Sequence, residues 1–530
     1  MKADIVIVGA GSAGAVLANR LSADPACRVV LVEAGPADRH PAVHVPLGVM
    51  WLAKAPRFNW LYASTPQAGL GGRRVSVPRG KVVGGSSAIN GMIYIRGHRA
   101  DYDSWAAMGC TGWGWDDVLP YFKASEANDD AALDDALHGR DGPLSVTRLA
   151  RPNPMDQVFV EAAATLQYGP TDDFNTAEPE GMGIYQVTQK AGRRQSTATA
   201  FLDPVKARAN LTILTGHRAL RVAMDGRRAT GVTLARPDGS LVTVHAARMV
   251  ILAAGAIGSP DLLLRSGIGP APALRTAGIA PVLDLPGVGR NLHDHVDVMT
   301  IAATATRTAY GLSIPALPAR GWDVLHYLIA RGGMFASNMV EAGGFVRSSP
   351  AADRPDLQFH FIPGRKSHRG RMVEWGHGVS LHTCILRPRS RGSVTLDPAR
   401  PDGPPLIDLG LLADPEDAAL LRRGVRIARA ILAAPPFRPH GLREIAPGDA
   451  VQDDAALDAY IRAQARTVYH PVGTCAMLSV TTPDLRVTGT EGLRVVDASV
   501  MPAIVSGNTN APVIMIAEKA AAMIRAAAIA

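Results

Sequence analysis

Cysteine is scarce: four in 530 residues, at positions 27, 110, 384 and 475, far apart and without metal-ligand spacing. That excludes a disulfide framework and reads as reduced thiols of a cytosolic protein. No stretch approaches the ~18 uninterrupted apolar residues of a membrane-spanning helix. Lys2, an apolar stretch and then small residues imitate a secretion signal, but cleavage there would destroy the glycine turn described below, so we read them as fold. The expectation is a cytoplasmic protein, soluble or peripheral on the inner membrane. Repeats and low-complexity tracts are absent. A basic run with interleaved aromatics is missing too, which argues against nucleic acid as a partner. The net charge of +8 comes largely from scattered arginine. It fits solvated surface or attraction to an anionic membrane or acidic partner.

What is present is a large, apolar chain. At 47% hydrophobic residues it can bury sizeable cores, and its length exceeds the ~250–300 residues at which single cores stop growing. Two lobes are expected. Residues 4–14 run a short apolar strand into Gly9-Ala-Gly11-Ser-Ala-Gly14, and Glu33 ends a second apolar run. This is G-x-G-x-x-G between a strand and a helix with an acid about 20 residues on, the context that motif requires. Gly9 permits the tight turn, Gly11 lets backbone approach a pyrophosphate, and Gly14 lets helix and strand pack closely. Glu33 can accept from a ribose hydroxyl.

Residues 36–78, with Trp51, Phe58, Trp60 and Tyr62, read as a long covering segment or lid. Residues 211–255 alternate like strands and close on a small-residue turn, as an antiparallel layer on a nucleotide domain would. Residues 301–450 mix alternating strands with a helix from Glu416 to Leu432, a candidate second lobe. A last helix beginning near Thr509 returns the chain to the first domain.

Three further blocks carry chemistry. Arg79-Gly-Lys-Val-Val-Gly-Gly-Ser-Ser-Ala-Ile-Asn90 places Gly84 and Gly85 where a ring or diphosphate can approach backbone, with Ser86 and Ser87 beside an anion nest. In Gly255–Gly269, Ser259 or its neighbourhood can cap a helix with Pro260 in its first turn, and Gly267 can stop it, which is ordinary helix punctuation. Tyr469-His470-Pro-Val-Gly-Thr474 pairs with Ser506-Gly-Asn508-Thr-Asn510. Histidine moves protons near neutral pH, and Asn508 can donate to an alcohol or alkoxide oxygen without titrating. Asn508 also precedes the last helix, whose positive end favours negative charge on a bound ring. His293-Asp294-His295 has weak metal-type spacing and reads as a structural turn. His360 and His382 fall on alternating strands, where they can edge a pocket, and the favoured reading is ordinary strand residues.

Together the four blocks resemble the glucose–methanol–choline (GMC) flavin oxidoreductases, essentially end to end. The finer resemblance is to the bacterial medium-chain alkanol and choline dehydrogenases. It is carried by Phe58-Asn-Trp-Leu, Tyr94-Ile-Arg-Gly-His, Ser337-Asn-Met-Val-Glu-Ala-Gly-Gly-Phe, Pro355-Asp-Leu-Gln-Phe-His-Phe and Val496-Asp-Ala-Ser-Val-Met-Pro. The resemblance implies an α/β fold: a Rossmann-like FAD-binding domain (1–155, 190–300, 455–530) and a substrate domain on an antiparallel sheet flanked by helices (156–189, 301–454).

It also implies FAD over Gly9, Gly11, Ser12, Ala13 and Gly14, with Glu33 and Ala34 at the ribose and Ala219 at the adenine. Val83, Gly85, Ser86, Asn90 and Met92 would line the ribityl–isoalloxazine side, and Asp497, Ala498 and Thr509 would close over the rest. Ile89 stands where some relatives attach flavin through histidine, so noncovalent FAD is expected. By the same resemblance His470 takes the hydroxyl proton of a primary alcohol, Asn508 steadies the alkoxide, and hydride passes to flavin N5. Electrons would then go to a quinone-type or other acceptor. The alternatives are a choline dehydrogenase using Glu341 at the ammonium, an oxygen-using alcohol oxidase, a hydroxynitrile lyase with non-redox FAD, and a non-catalytic flavin-binding chain. No metal is expected.

Overall fold

A computed structural model describes residues 1–366 and 374–529. Strand β1 (Lys2–Val8) is buried along Ile5–Val8, as a central strand of a doubly covered sheet must be. It enters helix α1 (Ser12–Leu21), and β2 (Val29–Glu33) returns parallel to β1. Next come β3 (Leu211–Thr215), β4 (Arg218–Asp225), β5 (Arg228–Ala235) and β6 (Leu241–Leu252). The sheet order is β3-β2-β1-β6-β5-β4, with the short strand Leu493–Val495 beside β6. Strands β1, β2 and β3 pair in parallel, as does β1 with the second half of β6 (245–252), whereas β4, β5 and the start of β6 form the expected antiparallel meander. Strand order reverses about β1, so a crevice opens where β1 and β6 end, the usual ligand position in such sheets.

Helix α2 (Gly255–Arg265) follows β6, beginning one turn earlier than expected. Ser259 is therefore no cap: it lies inside the helix, and its hydroxyl donates to Asp497 Oδ2 at 2.5 Å. Pro260 is interior too. Its missing N–H leaves the Ala256 carbonyl without its i+4 partner, and the Thr474 hydroxyl donates to that oxygen at 2.7 Å. The stop at Gly267, with φ +78°, is as expected.

The second sheet holds β7 (Val296–Thr304), β8 (Ala342–Val346), β9 (Leu357–Ile362), β10 (Gly376–Ile385), β11 (Arg443–Ala446) and β12 (Arg466–Thr467). Its order is β11-β7-β10-β9-β8 followed by Gly181–Ile184, antiparallel throughout, with β12 on the start of β7. Two strands cross the expected boundaries: β7 starts before residue 300, and β12 lies after residue 455. Period-two alternation sorts this sheet's faces. Val296, Val298, Leu357, Phe359, Phe361, Val379 and Leu381 join the core packed on helices Pro154–Ala164 and Pro415–Ala433. Here α3 is Leu317–Ala330 and α4 is Pro415–Ala433. Phe159 stacks on Phe361 at 4.7 Å. The opposite face presents Asp297, Gln358, His360 and His382, polar residues buried nonetheless. Polar residues so placed need a polar purpose.

Helix α5 (Asn510–Ile529) lies on α1, tied by Ser12 Oγ to Asn510 Oδ1 at 2.7 Å and by the Arg20–Glu518 ion pair at 2.7 Å. Residues 36–78 fold into short helices and a two-stranded hairpin, Tyr62–Ala63 with Ser76–Val77. Leu47, Met50, Trp60 and Tyr62 from this segment form one wall of the central cavity, as a covering segment should.

Candidate active site

One continuous cavity of about 1110 Å³ runs from the strand ends of the first sheet to the polar face of the second. Ends of four strands feed it: Val8-Gly9 after β1, Glu33-Ala34 of β2, Ala253–Gly255 after β6, and Asp497-Ala498 after Leu493–Val495. Gly11, Ser12, Ala13, Gly85, Ser86, Asn90, Met92, Ala219 and Thr509 also line it. Gly14 and Val83 do not. A Cβ on Gly14 would stand 1.8 Å from the Gly9 carbonyl oxygen, so this glycine serves the turn's packing rather than a ligand. The Val83 side chain joins the hydrophobic core while its N–H donates to Pro36 O at 3.0 Å.

The groove fits a dinucleotide on its own geometry. A Cβ on Gly85 would reach 2.5 Å from Gly11 Cα, so the two glycine-rich turns meet backbone to backbone. The N-termini of α1 and α5 lie side by side there, joined by Ser12–Asn510, and offer unpaired amides and positive dipole ends to an anion. Glu33 is buried and accepts from Ala10 N at 3.1 Å and Gly35 N at 2.8 Å. Burial lifts its carboxyl to about 7 despite those bonds. A second lone pair on each oxygen remains for a hydroxyl donor. Asn90 Oδ1 accepts from Met92 N at 3.0 Å and from Arg194 at 2.8 Å, holding Met92 at a φ of +60°. Asp497 is saturated by Gly255 N, Ser259 and Ser499, so it anchors the start of α2 at the cavity's edge.

His470 and Asn508 converge at the other end. Asn508 Nδ2 lies 3.2 Å from His470 Nε2. The neighbours of His470 fix its tautomer. His295 Nε2 faces the Leu386 carbonyl at 2.9 Å, which can only accept, so the proton sits there. His295 Nδ1 is then an acceptor, and His470 Nδ1–H donates to it at 3.0 Å. His470 Nε2 is left without a proton and accepts from the Asn508 amide. Burial, then His295, His360 and Arg79, hold the His470 ring well below the ordinary imidazole value, and burial brings His295 to about 4. Both rings are neutral near pH 7. Gln358 Nε2 donates to Asn508 Oδ1 at 3.2 Å, which points the Asn508 amide at His470.

The backbone before His470 is strained: Tyr469 has φ +73°. Thr467 Oγ1 accepts from Tyr469 N at 2.6 Å, and Arg79 Nη2 donates to Tyr469 O at 2.5 Å. Asp294 accepts from His470 N at 2.8 Å and from the Thr467 hydroxyl at 2.5 Å. The turn His293-Asp294-His295 thus carries two residues that position His470. His360 and His382, expected as ordinary strand residues, both line the cavity. Glu341 does not: Asn153 N at 2.6 Å, Tyr310 at 3.2 Å and the Ser337 hydroxyl engage its carboxylate away from His470. Among the described residues no cluster of metal-ligating side chains occurs.

A glycine-lined groove thus leads to a neutral imidazole paired with a carboxamide. Two GMC oxidoreductase family models match, one over residues 3–297 and one over residues 388–517. The chain is 47% identical to an alcohol dehydrogenase (acceptor) of Pseudomonas putida, over 98% of this chain and 95% of that protein. It is 41% identical, with the same coverage, to an oxygen-dependent choline dehydrogenase of Rhizobium johnstonii. Among solved structures, pyridoxine 4-oxidase from Mesorbium loti superposes with a TM-score of 0.87 at 33% identity, covering 99% of each chain. The chain belongs to the GMC oxidoreductase family, FAD enzymes acting on CH–OH donors.

Proposed function

We propose that the protein oxidises a primary alcohol to the aldehyde, with noncovalent FAD as hydride acceptor and a quinone-type compound as the onward acceptor. The observation that carries this reading is the unprotonated Nε2 of His470, paired at 3.2 Å with the Asn508 amide where a substrate hydroxyl can replace that bond. FAD, when bound, supplies the hydride-accepting ring. Gly9, Gly11, Ser12 and Ala13 hold its diphosphate at the N-terminus of α1, Glu33 and Ala34 its ribose, and Ala219 its adenine. Gly85, Ser86, Asn90 and Met92, with Asp497, Ala498 and Thr509, flank the reactive end. Ile89 lines this part of the cavity and offers no nucleophile for a covalent link.

The substrate hydroxyl enters between His470 and Asn508. His470 Nε2 takes its proton, and the Asn508 amide donates to the developing alkoxide, whose negative charge makes the carbinol hydrogen a better hydride. The His470 Nδ1–H stays on His295, so the charge that forms on His470 is shared along a preset line.

Contact with a membrane surface supports a lipid-soluble acceptor. Helix α3 and the turn before it expose Ile314 (75%), Trp322 (62%), Leu328 (65%) and Ile329 (75%), far beyond ordinary scattered exposure. Arg307, Arg331, Lys190 and Arg193 lie around it in sequence or contact, Gly192 abutting the Arg331 carbonyl. An apolar face with basic neighbours suits the plane of an anionic bilayer. Cavity-lining Leu312 and Met334 bracket this helix in sequence, so the chain on either side of it reaches the cavity wall. No helix among the described residues is long and apolar enough to cross a membrane.

The test is anaerobic mixing of the yellow holoprotein with primary alcohols. Bleaching supports the reading. A persistent yellow colour with cleavage of a cyanohydrin would replace it with the lyase. Recolouring by a soluble quinone but not by air separates a dehydrogenase from an oxidase.

A further inference from the structure

The polar face of the second sheet carries a cluster that neither proton removal nor nucleotide binding uses. On paired strands, Asp297 of β7 sits opposite Arg466 of β12, and His382 of β10 sits opposite His360 of β9. All four line the cavity, together with Lys366 just after β9. His382 Nδ1 donates to Asp297 Oδ2, which leaves its Nε2 as an acceptor for Lys366 Nζ at 3.2 Å. Burial, then Lys366, lower His382 to about 4, so this ring is a neutral bridge. Burial brings Lys366 down to about 8, which leaves the ammonium charged at neutral pH. It has three N–H donors and spends one on His382.

Arg466 is less committed still. Among the described residues its guanidinium has no carboxylate within ion-pair distance, although Asp297 is its cross-strand neighbour. Arg365 and Glu374, also on this wall, pair with each other at 3.2 Å. Two cations therefore face the cavity against the single carboxylate of Asp297, a net positive recess with unspent donors. Residues 367–373, outside the described set, contain no acid in sequence that could balance it. Uncompensated cations at a buried wall are costly, and an anionic ligand would offset that cost. The recess shares the cavity with the reaction end: His360 lies 6.5 Å from His382 between ring centres, and both line the same space as His470.

We propose that Lys366 and Arg466 bind a carboxylate on the substrate, so that this enzyme prefers hydroxy acids whose far end is anionic over plain alkanols and over choline. A quaternary ammonium would meet like charge there. This rests on the alcohol-oxidising reading, and the experiment separates the two. Holoprotein is mixed anaerobically with ω-hydroxyhexanoate, with 1-hexanol of equal chain length, and with choline, and kred/Kd is read from flavin bleaching.

The wild type is expected to favour ω-hydroxyhexanoate over 1-hexanol by about tenfold or more, the range of a charge-assisted contact. Lys366→Met is expected to erase most of that ratio, Lys366→Arg to restore it, and Lys366→Glu to shift preference toward choline. Hexanoate, which has no hydroxyl, is expected to compete with 1-hexanol in the wild type and about tenfold more weakly in Lys366→Met. Arg466→Met, on the neighbouring strand, gives the same readout should Lys366 variants lose FAD. Equal ratios in wild type and variants, or competition by inorganic phosphate with none by hexanoate, would overturn the proposal. If no alcohol bleaches the flavin, yet hexanoate perturbs its spectrum in a Lys366-dependent way, the recess stands and the oxidation reading falls.

Discussion

His470 is neutral in the folded protein because burial outweighs any partner that would hold a proton on it. A base already in its working form does not need alkaline solution. The rate of flavin reduction by alcohol in the wild type is expected to stay flat as pH falls through 6.5, the ordinary imidazole value. A rate that halves near that value would contradict the depressed ring. His470→Ala removes the acceptor, and stopped-flow reduction is expected to slow by roughly 10²–10⁴-fold in protein that still binds FAD.

Glu33 gives a second expectation at this scale, with its sign opposite to a stabilised acid. Burial raises its carboxyl to about 7 without ligand. A ribose hydroxyl donating to it favours the carboxylate, so FAD binding releases a proton. Affinity therefore strengthens as pH rises through about 7 and levels off above, and Glu33→Gln flattens the profile in titrations of apoprotein.

At the scale of elements, α2 shows how one irregularity is answered by another. Pro260 leaves the Ala256 carbonyl free, and Thr474, four residues beyond His470, donates to it. Thr474→Val keeps the shape but buries an unpaired acceptor, and denaturant unfolding is expected to show a loss of about 1–3 kcal/mol. Adding Pro260→Ala supplies a helical N–H to that carbonyl, so the double variant is expected to regain part of the loss. Additive effects would deny the link. The reading of Ser259 as a cap failed here for a local reason. Serine followed by proline is the usual start of a helix, and the true start at Gly255 is set by Asp497, more than 200 residues away in the chain.

Local pattern did reveal the Gly9–Gly14 turn, the meander and the His470–Asn508 pairing, since each rests on close spacing or on the family resemblance. It could not reveal His295, Asp294 or Gln358 as partners of His470, because only the pairing of distant strands brings them together. Gln358 and His360 do leave a trace: two polar residues, two apart, on a strand otherwise apolar. Lys366 and Arg466 leave none.

At the scale of the whole molecule, the exposed face of α3 sets a prediction about where the protein resides. Replacing Leu328 and Ile329 with serine is expected to lower co-sedimentation with phosphatidylglycerol-containing vesicles several-fold, without changing the melting temperature by more than a few degrees. Undiminished sedimentation of that variant would remove α3 from the contact. High salt is expected to weaken binding of the wild type as well, because the basic neighbours of the helix act through screened charge.

The cavity is one space shared by two tenants. The nucleotide groove and the chamber beside His470 have no protein partition between them, since residues from both line the same volume. A flat ring lodged along the glycine turns becomes the missing floor of the chamber. A hydroxy compound would accordingly meet a bounded berth only once the prosthetic group had loaded.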